Sequence, residues 1–186
     1  MENEAAQGVL TPQLAMLASL EDIGEDTEIS LPEGYSLREF SECDGGEAAW
    51  DRIIAESFKD PSISFEKLMR GDPEYRPDRV LFICCGDEPV ATASAWYLKE
   101  FGEDFGVIHM VGALSGHSGR GLGVAVVKAA MRKLKREGRH FARLTTDDFR
   151  LPAIKSYLRL GFKPVIVDAN QPERWKRIYA ILGWAE

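Results

Sequence analysis

Three glycines alternate with other residues in Ser118-Gly119-Arg120-Gly121-Leu122-Gly123-Val124-Ala125. The segment joins an apolar run to a stretch with helical periodicity. Glycine lets a backbone turn tightly and come close to a ligand. A helix beginning here presents unpaired N–H groups and the positive end of its dipole, which suits a pyrophosphate. Arg120 adds a charged donor at the same place. Spacing excludes two common phosphate loops. A dinucleotide fingerprint starting at Gly119 needs glycine or alanine where Val124 stands. A P-loop needs Gly-Lys-Ser/Thr, and Gly121 is followed by Leu122. Taken alone, the cluster fits equally well a tight turn that holds no ligand.

The elements that must position this turn can be read from periodicity. Residues 35–40 alternate as a half-buried strand should. Residues 47–58 place Trp50, Ile53, Ile54 and Phe58 on one helical face, and residues 64–69 fit a second short helix. Strands are expected at 80–85, 90–98 and 105–114, with Gly86-Asp87-Glu88 as a hairpin turn. A long helix is expected over 121–137, ended by Gly138. Its buried side is Leu122, Ala125, Val126, Ala129, Ala130 and Leu134. Lys128, Arg132, Lys135, Arg136 and Arg139 form the opposite face, read as solvated. A strand at 140–145 and a helix at 152–160 come next, the helix with proline near its start and Gly161 at its end. Strands at 163–167 and 174–182 complete the set. The order is mixed α and β.

The segment after the 140–145 strand carries Pro152-Ala153-Ile154-Lys155-Ser156-Tyr157 and closes on Gly161-Phe162. With the glycine turn before it, the chain resembles the GNAT superfamily of N-acetyltransferases. That family's acetyl-CoA signature is Gln/Arg-x-x-Gly-x-Gly/Ala. Its later helix carries Pro-Ala-x-x-x-Tyr and ends in Gly-Phe. The resemblance is sharp over residues 107–164 and weaker from Tyr35 onward. Two positions depart from it. The usual Gln or Arg falls on Ser118, and an Asn common before the later helix falls on Arg150.

The resemblance implies an α/β (mixed α+β) fold: a central, mostly antiparallel twisted sheet with a splayed strand pair, flanked by helices. It implies transfer of an acetyl group from acetyl-CoA to a primary amine, by direct attack in a ternary complex. The thioester is expected beside Val111, Gly112, Ala113 and Leu114, where backbone N–H groups polarise the carbonyl. The pyrophosphate is expected at Ser118, Gly119, Arg120, Gly121, Leu122, Gly123 and Val124, with Arg150 as a further phosphate partner. Tyr157 matches the family tyrosine near the thiol sulfur, and a phenol can protonate a departing thiolate. His109, on the strand leading into the site, is the candidate base; strand alternation leaves its side open. His117 is placed near phosphates or solvent. The rival reading is a non-catalytic acyl-CoA-binding sensor.

Composition bounds the partners. The 186 residues are 45% hydrophobic, ordinary for one globular domain. No apolar stretch approaches the ~20 residues a membrane-spanning helix needs. The N-terminus lacks the features of a secretory signal, so a cytoplasmic location is expected. Cys43, Cys84 and Cys85 read as reduced packing residues, and no metal site is expected. The net charge of −7 is uneven, with eight acids and no Lys or Arg before Tyr35. Residues 1–33 are therefore read as an acidic extension, with a short helix at 12–20 on Leu14, Leu17 and Leu20. Residues 34–186 are read as the acyltransferase domain. The basic helix face lacks interleaved aromatics, so no nucleic-acid partner is expected. The expected acceptor is a small-molecule or peptide amine, and a homodimer is compatible with this reading.

Overall fold

Apolar residues in 80–96 run almost without interruption, which marks strands buried on both faces. They form the central hairpin of a seven-stranded sheet. The computed structural model describes residues 12–24 and 29–185. The strands are β1 (Leu14–Ser19), β2 (Tyr35–Glu39), β3 (Val80–Cys85), β4 (Glu88–Trp96), β5 (Phe105–Ala113), β6 (Phe141–Thr146) and β7 (Lys163–Val165). Their spatial order is β2-β3-β4-β5-β6-β1-β7. All neighbours are antiparallel except β5 and β6. The helices are α1 (Gly46–Phe58), α2 (Leu122–Arg136), α3 (Leu151–Arg159) and α4 (Gln171–Leu182). The parallel β5–β6 pair needs a crossover, and α2 supplies it.

A bulge in β5 organises the two faces. The register against β4 shifts between Thr92 and Ser94, and Met110 takes a left-handed φ of 48°. A bulge adds one residue and so reverses the facing of the residues beyond it. Gly106, before it, lies under Leu134 of α2. Gly112, after it, lies under Ile53, Ile54 and Ser57 of α1. The two helices thus cover opposite faces of the sheet.

Two expected elements are corrected. Residues 12–20 contain a strand, not a helix. Leu14, Ala15, Met16 and Ala18 are all buried, because β1 lies between β6 and β7 with both faces covered. A strand in that setting loses alternation, and the threefold leucine spacing imitated a helix. The expected acidic extension therefore contributes a strand to the sheet. Conversely, residues 174–182 lie in α4, whose buried Trp175 and Ile178 stand three apart, with Pro172 in its first turn.

The basic face of α2 is not simply solvated either. Arg132 is buried, and Lys133 pairs with Asp78 at 2.7 Å. Lys135 donates to the carbonyls of Glu21 and Ile23, each at 2.8 Å. Beyond the helix, Arg139 pairs with Glu103 and lies 4.3 Å from the Tyr97 ring centre. Lys135 and Arg139 hold the β1–β2 connection and the β4–β5 loop against the helix, and Lys133 holds the turn before β3. Cys84 is fully buried and Cys85 half-buried, as opposite sides of a strand require. Among the described residues no helix is long and apolar enough to cross a membrane.

Candidate active site

The parallel ladder between β5 and β6 is short. It pairs Phe105 with Phe141, Gly106 with Ala142 and Val107 with Arg143, and then stops. Both strands continue, β5 to Ala113 and β6 to Thr146. A wedge therefore opens between them, starting where the bulge lies. Leu114 donates its N–H to Val90 on the β4 side, at 2.9 Å. By alternation, the N–H and C=O of Ala113 point the other way, into the wedge.

The glycine turn comes directly after. Gly119 and Gly121 have φ of 77° and 76°, a region costly for other residues. Gly121 is the N-cap of α2, and no side chain caps the helix. Its first N–H groups are thus left for an outside partner. A Cβ added at Gly119, Gly121 or Gly123 would meet no heavy atom within 4 Å, so the space over the turn is open. A pyrophosphate fits this cradle. Ser118 and Arg120 are exposed beside it, and Arg120 donates to the Gly116 carbonyl at 3.0 Å. Leu122 is buried beneath, and Val124 is half-buried. His117 shares a 2.8 Å hydrogen bond with the Tyr35 hydroxyl, which holds it at the β2 edge of the turn.

Tyr157 lies in the core beside Phe162, with ring centres 5.9 Å apart. Burial pushes its phenol up to about 12, so it stays protonated at neutral pH; the nearby Arg150 charge opposes the shift. His109 sits on the α1 face, with its ring 5.4 Å from that of Trp96. Burial lowers its pKa to about 4, against a smaller opposing pull from Asp72. It is therefore neutral at pH 7. Arg150 is held by its neighbours. Its Nε donates to Asp147 at 3.1 Å, and its guanidinium lies 3.8 Å from the Phe58 ring centre. The wedge and the cradle thus bring residues 111–124 into one continuous lining. His109 lies on β5 and Tyr157 on α3.

A second cluster, at the end of α1, has no signal in the sequence. Glu56 accepts the Ser115 N–H at 2.6 Å, and this bond holds its carboxyl below the usual range. Ser57 Oγ accepts the Ala113 N–H at 3.0 Å and donates to the Ala113 carbonyl at 3.3 Å. Phe58 stacks on Arg150. All these contacts cross long stretches of chain, and no local pattern announces them. Among the described residues no group of His, Cys, Asp or Glu is arranged to hold a metal.

Comparison with known proteins bears on this geometry. Mycothiol acetyltransferase from Streptomyces scabiei is 31% identical over 153 residues, covering 79% of this chain and 48% of the relative. Mycothiol acetyltransferase from Beutenbergia cavernae is 29% identical over 146 residues, covering 75% and 49%. The chain spans about half the length of these relatives. A GCN5-related N-acetyltransferase from Kribbella flavida shares the fold, with a TM-score of 0.58 at 20% identity, over 83% of this chain and 55% of that one. The model of the acetyltransferase (GNAT) family matches residues 47–162. That match takes in α1, the bulged strand, the wedge, the glycine turn and α3, and the chain belongs to the GNAT acetyltransferase family.

Proposed function

We propose that the chain transfers an acetyl group from acetyl-CoA to a primary amine. The observation that carries this reading is the wedge between β5 and β6, continuous with the uncapped start of α2. A strand-like donor arm can enter the wedge while its pyrophosphate rests over Gly119, Gly121 and Gly123. Backbone N–H groups of β5 at the bulge then polarise the thioester carbonyl without any charged side chain.

The amine nitrogen attacks the carbonyl carbon, a C–N bond forms, and the C–S bond breaks. The leaving sulfur needs a proton, and the nitrogen must lose one. Tyr157 holds its proton at neutral pH and supplies it to the sulfur. His109 is neutral and accepts the proton from nitrogen. With its pKa near 4 it is a weak base, so it passes the proton on to water, and water returns one to the Tyr157 phenolate, which restores both groups. Arg150, tied to Asp147 and Phe58, shapes the wedge mouth rather than binding phosphate.

The test is thiol release from acetyl-CoA across a panel of amines. Amines related to mycothiol come first, because relatives carry that name. Turnover with one amine class is expected. In single-turnover measurements, Tyr157→Phe should slow the chemical step by about 10²-fold or more while leaving donor affinity nearly constant. Donor binding with no turnover on any amine would favour the sensor reading. No thermal shift with millimolar acetyl-CoA would refute the assignment altogether.

A further inference from the structure

The last turn of α1 reaches both sides of the wedge. Ser57 holds Ala113 at the end of β5, and Phe58 stacks on Arg150, just beyond β6. Glu56 fixes Ser115, at the start of the loop that leads to the glycine turn. Three consecutive residues thus tie one helix end to the end of β5, to the loop after it and to the start of α3. This approach depends on Gly112, where a Cβ would lie 2.8 Å from Ser57 Oγ. The helix then stops at Lys59, a non-glycine residue with a left-handed φ of 55°.

Ala113 is also where a donor arm must pair. Its N–H and C=O face the wedge, and the Ser57 hydroxyl engages both. An amide-bearing arm lying along β5 and Ser57 cannot hold the same Ala113 groups at once. We propose that Ser57 is a positioning residue that caps Ala113 in the free protein and yields it to the arm of an arriving thioester donor, so that the end of α1 shifts when the arm enters. This rests on the donor assignment above. Because α1 also covers the face carrying His109, the shift couples donor entry to that face of the sheet.

Two ligands separate the arm from the nucleotide: coenzyme A, and 3′-phosphoadenosine 5′-diphosphate, which lacks the arm. Calorimetry on the full chain should show Ser57→Ala binding coenzyme A about two- to tenfold tighter, the equivalent of one net hydrogen bond removed from the competition. Affinity for the nucleotide should not change. Ser57→Thr keeps the hydroxyl and should match the wild type. Unchanged or weaker coenzyme A binding by Ser57→Ala, or equal tightening for both ligands, would overturn the proposal. If Ser57→Ala does not fold, amide spectra of the wild type decide. The Ser57, Phe58 and Ala113 resonances should move with coenzyme A and stay with the nucleotide. Their failure to move under saturating coenzyme A would overturn it equally. A wild type that binds neither ligand would instead refute the donor assignment itself.

Discussion

His109 illustrates how one residue links stability to chemistry. Its folded pKa of about 4 lies below the ordinary 6.5 because burial disfavours the charged ring. The unfolded chain therefore takes up a proton between those values while the folded one does not. Stability from this group is complete above about pH 6.5, falls as pH drops toward 4, and is level below that. His109→Asn removes the titration. The stability difference between wild type and variant should shrink by about 3 kcal/mol from pH 7 to pH 4 in urea titrations. A difference independent of pH would mean that the ring is not desolvated. The sequence identified His109 but not its face, because one bulged residue at Met110 decides it. Tyr157 was singled out through its motif. Ser57 was not, since its partner Ala113 lies far along the chain and a helical serine looks like any polar surface residue.

The elements carry the proposed donor site, and the glycines in one turn serve different ends. Gly121 needs its positive φ, whereas Gly123 lies within the helix, with no heavy atom within 4 Å of an added Cβ. Gly123→Ala should leave melting unchanged or raise it, because alanine favours helix by about 0.5–1 kcal/mol over glycine. If phosphate oxygens pack over this position, the same methyl should weaken acetyl-CoA binding at least tenfold, read by calorimetry. Stability retained with affinity retained would move the phosphates elsewhere. The strands 80–85 and 105–114 and the helix 121–137 were readable because hairpin turns and a strong amphipathic period bound them. The misassigned pieces were short apolar segments, where Ile178, Ala180 and Leu182 alternate as well as they spiral.

At the scale of the molecule, β1 changes what the N-terminal region is for. An acidic extension could be removed freely, whereas a strand seated between β6 and β7 could not. Deleting residues 1–19 should abolish cooperative urea unfolding. Leu14→Ala alone should cost about 2–5 kcal/mol, since Leu14 is fully buried. A truncated chain that still unfolds cooperatively, with unchanged midpoint, would show that the sheet closes without β1. The acidic composition of residues 1–33 concealed this strand, because charge on the flanks dominates a segment average. The placement also sets a timetable. Leu14 pairs with Thr146, and Ala15 pairs with both Thr145 and Val165, so a strand that leaves the ribosome well before its neighbours must wait for them. Until they emerge it is an apolar segment with two open edges, a template for wrong partners. Closing such long loops is slow. The acids just after it in sequence, Glu21, Asp22, Glu25, Asp26 and Glu28, stand where a gatekeeper would, keeping the waiting strand in solution until β6 and β7 are made.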